Sequence, residues 1–212
     1  MSERYLITQS LLSSYAYQFE CREECAAGAR DSFLAALRRE KTEITEAMQN
    51  GIDFENAVYA LASGDRGFLN ASPAYLKWES GIREVASFIT GAMVQVRLKR
   101  EIEVDGLKFL VYGVLDALKA GVIYDVKFKN KSFEDIEVYG DYVDSPQHPA
   151  YFYLCPEAHE FRYLVSDGDG LYMETYRPED TRFIGDLIHD FLQGITASGD
   201  LATYKEHWRA KE

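Results

Sequence analysis

Cysteine is scarce in this chain: three in 212 residues, at Cys21, Cys25 and Cys155. The number is odd and no CxxC pair occurs, which argues against a disulfide framework and a complete zinc site. A four-cysteine iron–sulfur site cannot be built from three, so no iron–sulfur cluster is expected. Long apolar runs are missing as well, so neither a transmembrane helix nor a membrane partner is expected. The opening MSERYLITQSLL lacks a basic region leading an apolar core and a small-residue cleavage site. No secretory signal is expected there, and the cytoplasm is the expected location. Basic charge is in deficit too: 23 Lys and Arg against 35 Asp and Glu give a formal net charge of −12. That balance argues against a nonspecific nucleic-acid coat protein, whose face would be basic. It leaves room for an enzyme in which metal ions and a local lysine cluster accept phosphate.

What the chain does have is core material. Its hydrophobic share of 47% and aromatic share of 14% fit a well-packed interior, not disorder. The length suits one sizeable α/β domain spanning 1–212, with a helical part over 1–91 and a sheet-containing core over 92–212. Residues Thr8 to Cys21 read as a short amphipathic helix capped by Thr8 or Ser10. Asp31 is a plausible N-cap for a charged helix through Met48. Gly51 then breaks the pattern, and IDFENAVYALASG forms a new helix ending near Gly64. Glu55 flanks its apolar face, and a solvated helical glutamate is the simplest reading of that segment alone. Ser72-Pro73 starts a further helix through about Ile89. Val94 to Val104 alternates apolar and charged residues, as a half-exposed strand does.

Asp105-Gly106 turns the chain into LKFLVYGVLDALKAGVIYDVKF, two apolar runs around a break at Lys119-Ala120-Gly121. This predicts a mostly buried β-hairpin. A two-residue loop at Ala120-Gly121 pairs Lys119 with Val122 and, counting outward, Asp116 with Asp125 on one face. Lys127 faces the same side, two residues beyond. Facing carboxylates repel, and folding alone gives no reason for them, whereas a hard divalent cation takes oxygen ligands. A rim hairpin with solvated charges is equally compatible with the spacing. Lys127, Lys129 and Lys131 form a small basic cluster before an irregular stretch. Ser145-Pro146 opens another helix, with Gln147 and Tyr151 one turn apart on one face. HEFRYLVSD and GLYMETYRP read as two strands joined at Asp167 to Gly170, and Glu179 to Ala197 as a closing amphipathic helix. Helices covering a mixed sheet follow from this order.

Four segments in order resemble the PD-(D/E)XK nuclease superfamily, in particular its RecB-like exonuclease branch. GIDFENAV is similar to that branch's early helix, GVLDAL to its second motif, Asp125-Val126-Lys127 to the (D/E)xK motif, and QHPAY to QxxxY. The resemblance implies an α/β fold with a restriction-endonuclease-like core, a central mixed β-sheet flanked by helices. It implies a Mg²⁺- or Mn²⁺-dependent deoxyribonuclease, exonuclease-like, acting through a metal-activated water in repair or recombination. Asp116, Asp125 and Glu55 would hold one or two ions, with the Val126 carbonyl an extra ligand, and Lys127 would serve the water. Gln147 and Tyr151 would line the strand-binding side, with Lys129 and Lys131 on the phosphates of DNA. A core aromatic is the competing reading of Tyr151. Relatives that hold an iron–sulfur cluster use four cysteines, so this chain resembles a cluster-free member. The alternative is a catalytically silent nuclease-like module that binds nucleic acid or a helicase or recombinase partner.

Overall fold

The computed structural model describes residues 3–21, 26–136 and 139–210; Cys25 lies outside them. In chain order the elements are β1 (Arg4–Thr8), α1 (Gln9–Glu20), α2 (Ala26–Leu37), α3 (Glu46–Ser63), α4 (Arg66–Ala71), α5 (Pro73–Lys77) and α6 (Glu79–Ile89). Next come β2 (Met93–Val104), β3 (Leu107–Lys119), β4 (Val122–Phe128), α7 (Gln147–Leu154), β5 (Glu160–Ser166), β6 (Leu171–Tyr176), α8 (Ile184–Ala197) and α9 (Leu201–His207). This is the expected α/β class: a central mixed sheet flanked by helices, consistent with a restriction-endonuclease-like core.

The sheet is organised around β3. One of its edges carries β2, antiparallel, from Met93↔Leu118 to Val104↔Leu107. Its other edge is shared by two strands. β1 lies parallel along Lys108 to Tyr112, and β4 lies antiparallel along Ala117 to Lys119. Between those two pairings, residues 113–116 of β3 have no strand beside them on that edge. β4 continues the sheet through parallel β5, and β5 through antiparallel β6. The parallel β4–β5 pair explains why β4 is the most apolar strand: Ile123, Tyr124 and Val126 are buried on its two faces.

Two cores sandwich the sheet. The first gathers Leu11 and Leu12 of α1, Phe33 and Leu37 of α2, Ile188 and Phe191 of α8, and Phe109, Val111 and Leu115 of β3. The second sets Phe54 and Val58 of α3 and Ile82 and Val85 of α6 against Ala117, Tyr124, Val126 and Leu164. Leu115 and Ala117 should share a face by the period of two, yet they lie in opposite cores. The strand therefore turns over at Asp116.

Several boundaries differ from the sequence reading. RYLIT is a strand that sequence analysis did not assign; it is short and gains its ladder from β3, far along the chain, with a single bridge to Arg209 on the other side. The helix expected from Asp31 to Met48 is instead α2, ending at Leu37, and Asp31 lies inside it. Gly51 does not break the chain: α3 starts at the Thr45 cap, whose hydroxyl accepts the Met48 N–H, and runs through Gly51. Packing of Phe54, Ala57 and Val58 outweighs the roughly 1 kcal/mol helix penalty of one glycine. The helix expected over 72–89 is broken at Trp78, and α8 starts at Ile184 after a 3₁₀ turn over Pro178–Asp180. α4 and α9 were not anticipated.

Candidate active site

A cleft of about 310 Å³ opens where β3 loses its neighbour between β1 and β4. Glu55, Asp116, Asp125, Val126, Lys127, Gln147 and Tyr151 all line it. The sequence-predicted pair and lysine are thus in one place, with Glu55 approaching from α3 and Gln147 and Tyr151 from α7.

The hairpin register is the expected one, Lys119↔Val122, with Ala120 and Gly121 both at positive φ in the two-residue turn. The ladder stops at Ala117↔Tyr124, one step short of the aspartates. Asp116 replaces the missing rung with its side chain: Oδ2 accepts the Val126 N–H at 3.0 Å. On the opposite edge the β2–β3 ladder also skips the position facing Asp116, which is Gln95. Gln95 has φ +52°, inside a strand and without being glycine. Such a conformation costs on the order of 1–3 kcal/mol.

Asp125 is 1% exposed. Its Oδ1 accepts a short bond from the Gln147 side-chain amide, across from α7. Its Oδ2 lies 2.6 Å from the Lys127 Nζ, so the ammonium is the partner of this buried oxygen. Glu55 is half-buried, and its Oε1 accepts the Tyr59 hydroxyl at 2.6 Å. Tyr151 is buried, and its hydroxyl donates to the Val114 carbonyl on the open edge of β3. It therefore serves the core and the cleft wall together. Gly113 lets it approach: a Cβ there would stand 2.6 Å from the Tyr151 ring.

The charges are strongly coupled. Burial, then the nearby Asp125 and Glu55 carboxylates, push the Asp116 pKa well above its usual value, against Lys127 and the Val126 N–H. Burial also raises Glu55, with Asp125 adding to it while the Tyr59 hydroxyl and Lys127 oppose it. Burial works against the Lys127 charge, but Asp125, Asp116 and Glu55 outweigh it, so the lysine pKa rises. At neutral pH Lys127 is an ammonium ion.

The donor set suits a hard divalent cation in kind: the carboxylates of Glu55, Asp116 and Asp125 line one cleft, with a single lysine ammonium against them. It is not a closed cage. Among the described residues no three His, Cys, Asp or Glu side chains already group tightly enough to hold a metal. The Val126 carbonyl belongs to a residue that lines the cleft.

Lys129 and Lys131 are not brought into the cleft. β4 ends at Phe128, Lys129 pairs with Asp141 at 2.8 Å, and Lys131 is exposed. His148 also faces away: it is buried, stacked on Tyr176 at 4.2 Å, with Nδ1 3.2 Å from the Tyr163 hydroxyl. Sequence reasoning missed Thr8, Gln9 and Ser10, which form a wall of the cleft once β1 is in place. It also missed Tyr59, although its position one turn after Glu55 was a usable signal. Nothing in the sequence marked Gln95. No helix among the described residues is long and apolar enough to cross a membrane.

No family model matches this chain, and no curated protein matches it. It is similar to the crystal structure of SSO0001, with 16% identity over 91% of this chain and 77% of that one, at a TM-score of 0.45. It is also similar to the crystal structure of LHK-Exo in complex with dAMP, with 13% identity over 94% of this chain and 89% of that one, at a TM-score of 0.48. Neither likeness bears on the chemistry of the cleft.

Proposed function

We propose that the chain is a divalent-metal-dependent nuclease that hydrolyses phosphodiester bonds of DNA, as the motifs it resembles imply. One observation carries this reading: Glu55, Asp116, Asp125 and Lys127, from one helix and two strands, line a single cleft. Like charges gathered at a break in a sheet have no folding benefit to explain them. Asp116 and Asp125 would hold the ion, with Glu55 completing the set. A bound Mg²⁺ or Mn²⁺ supplies a Lewis acid to the phosphate and lowers the pKa of the water it holds.

The chain's own groups have definite parts. Gln147 fixes the plane of the Asp125 carboxylate through Oδ1, which leaves Oδ2 facing Lys127. Lys127, whose ammonium form its carboxylate neighbours favour, stabilises developing negative charge and serves the attacking water. Tyr151, with its hydroxyl committed to Val114, lines the cleft. The Lys129–Asp141 pair lies outside this group and would meet phosphate only further along a strand.

The test is cleavage of labelled single- and double-stranded DNA in Mg²⁺, in Mn²⁺ and in chelator. Metal-dependent cleavage that disappears in Lys127→Ala supports the reading. The open ligand set favours a second reading, a catalytically silent module that binds nucleic acid or a protein. Absence of cleavage in both metals would put that reading in its place.

A further inference from the structure

We infer that Tyr59 and Gln95 are positioning residues for Glu55, and that the strained backbone of Gln95 exists to hold that carboxylate toward the cleft. The inference rests on the function proposed above. Glu55 and Tyr59 are one turn apart on α3 and so stack on one helix face. The Tyr59 hydroxyl donates to Glu55 Oε1 at 2.6 Å and in turn accepts from Gln95 Nε2 at 3.0 Å. This chain of donors restrains a long, flexible carboxylate and occupies only one of its oxygens. The other has no hydrogen-bond partner among the described residues, and Glu55 lines the cleft.

The backbone supports the same conclusion independently. Four non-glycine residues among those described have positive φ: Arg39, Gln95, Asp105 and Ala120. Arg39 follows the end of α2, and Asp105 and Ala120 lead two-residue hairpin turns completed by a glycine, so local turn geometry accounts for all three. Gln95 alone sits within a strand, directly across from Asp116, at the rung where the β2–β3 ladder lapses. If β3 needed only to turn over here, glycine would meet that need without strain. A glutamine at this position brings an amide to Tyr59. Strain of this kind persists where surrounding structure imposes it, commonly at functional sites. Partners one step behind a metal ligand set its orientation, and their loss typically weakens metal binding tenfold or more.

The test is Mn²⁺ titration calorimetry on the full chain without DNA, paired with urea unfolding of each variant. Glu55→Gln measures what the carboxylate contributes. Tyr59→Phe removes only the hydroxyl, and Gln95→Gly removes the amide while accepting the left-handed backbone. Both should weaken Mn²⁺ about tenfold. Gln95→Gly should unfold at the same or a higher urea concentration, which a merely structural role would not combine with weaker binding. In a Glu55→Gln background, Tyr59→Phe should weaken binding no further, because it acts through Glu55. Wild-type Mn²⁺ affinity in Tyr59→Phe and Gln95→Gly, with a loss in Glu55→Gln, would overturn this inference and leave the nuclease reading standing. Additive losses in the double variant would overturn it too. A wild-type chain that binds no Mn²⁺ would bring down the metal site and this inference together.

Discussion

Gly113→Ala is the smallest change that tests how the cleft is built. A Cβ at this position would lie 2.6 Å from Tyr151 Cε1, 2.9 Å from Leu154 Cδ1 and 3.2 Å from Tyr151 Cδ1. These are core side chains on α7, 3% and 6% exposed, so the helix has nowhere easy to go. Overpacking a tight core by one carbon costs about 1–3 kcal/mol. Tyr151 would also be pulled off the Val114 carbonyl, a bond contributing about 1 kcal/mol. The sum is about 2–4 kcal/mol, a drop in Tm on the order of 10 °C for a chain of this size. Without the close approach the sign reverses, because alanine is favoured over glycine in a strand by about 0.5–1 kcal/mol. Urea unfolding and thermal melts decide between these outcomes. Displacing α7 also shifts Gln147, the donor to Asp125, so DNA cleavage should fall even at temperatures where the variant is folded. In a Tyr151→Leu background the stability cost of Gly113→Ala should shrink to about 1 kcal/mol or less, since the two changes meet in one contact. A Gly113→Ala variant as stable and as active as wild type would refute the packing argument.

Lys127→Ala should abolish Mg²⁺-dependent cleavage, and it should also destabilise the fold. It leaves the buried Asp125 without its counter-charge, which costs on the order of 1–3 kcal/mol once the partial exposure of the lysine is allowed for; an unchanged urea midpoint would count against the pairing. Asp116→Asn should lose cleavage while gaining stability at neutral pH. The amide oxygen can still accept the Val126 N–H, while the repulsion from Asp125 and Glu55 that raises the Asp116 pKa is gone; a loss of stability would contradict this. His148 gives a pH signature of its own. Burial lowers its pKa from the ordinary 6.5 to about 4, so the folded state disfavours its protonation. That stability is fully present above pH 6.5 and is lost as pH falls toward 4, by about 3 kcal/mol. Because Asp116 and Glu55 shift in the opposite sense, the comparison is between wild type and His148→Asn. The gap in urea midpoint between them should be widest near pH 7 and narrow by pH 4.5; a constant gap would show that His148 does not titrate this way.

Features written locally were legible in the sequence. Alternation marked β2, and the two-residue turns at Asp105-Gly106 and Ala120-Gly121 set the hairpin registers that place Asp116 beside Asp125. The cap at Thr8 and the stop at Gly64 are likewise local hydrogen-bond events, and both were readable. What escaped was decided at long range. RYLIT becomes a strand because β3 offers it an edge about a hundred residues away, and Arg209 a bridge from still further along the chain. Gly51 is tolerated inside α3 because the face of Phe54 and Val58 is buried against α6 and the sheet. The turning over of β3 at Asp116 could not be read at all, since GVLDAL is apolar on both sides of the aspartate and gives no alternation from which a change of face could be seen. For the same reason Gln95 gave no signal: its positive φ sits at the rung opposite Asp116, where the β2–β3 ladder lapses, and that juxtaposition exists only in the folded sheet.

The position of the cleft follows from the way the sheet is assembled. β1 and β4 approach the same edge of β3 from opposite ends, one parallel and one antiparallel, so they cannot be joined into one ladder. A stretch of β3 between them is therefore left with backbone groups that need partners other than a strand. Tyr151 meets the Val114 carbonyl, and Asp116 meets the amide of Val126 on the diverging strand. Both partners are side chains, and both belong to the cleft. Asp116 uses one oxygen to close the sheet and keeps the other for the cleft, beside a second carboxylate that the unfinished ladder would otherwise have paired directly against it. The same gap admits Glu55 from one side of the sheet and Gln147 from the other. A break in pairing that would weaken an ordinary sheet thus becomes a place where groups from both layers meet. Charge at this point is held by backbone geometry, so removing an acidic side chain here and removing its hydrogen bond are separable changes, as Asp116→Asn and Asp116→Ala would separate them.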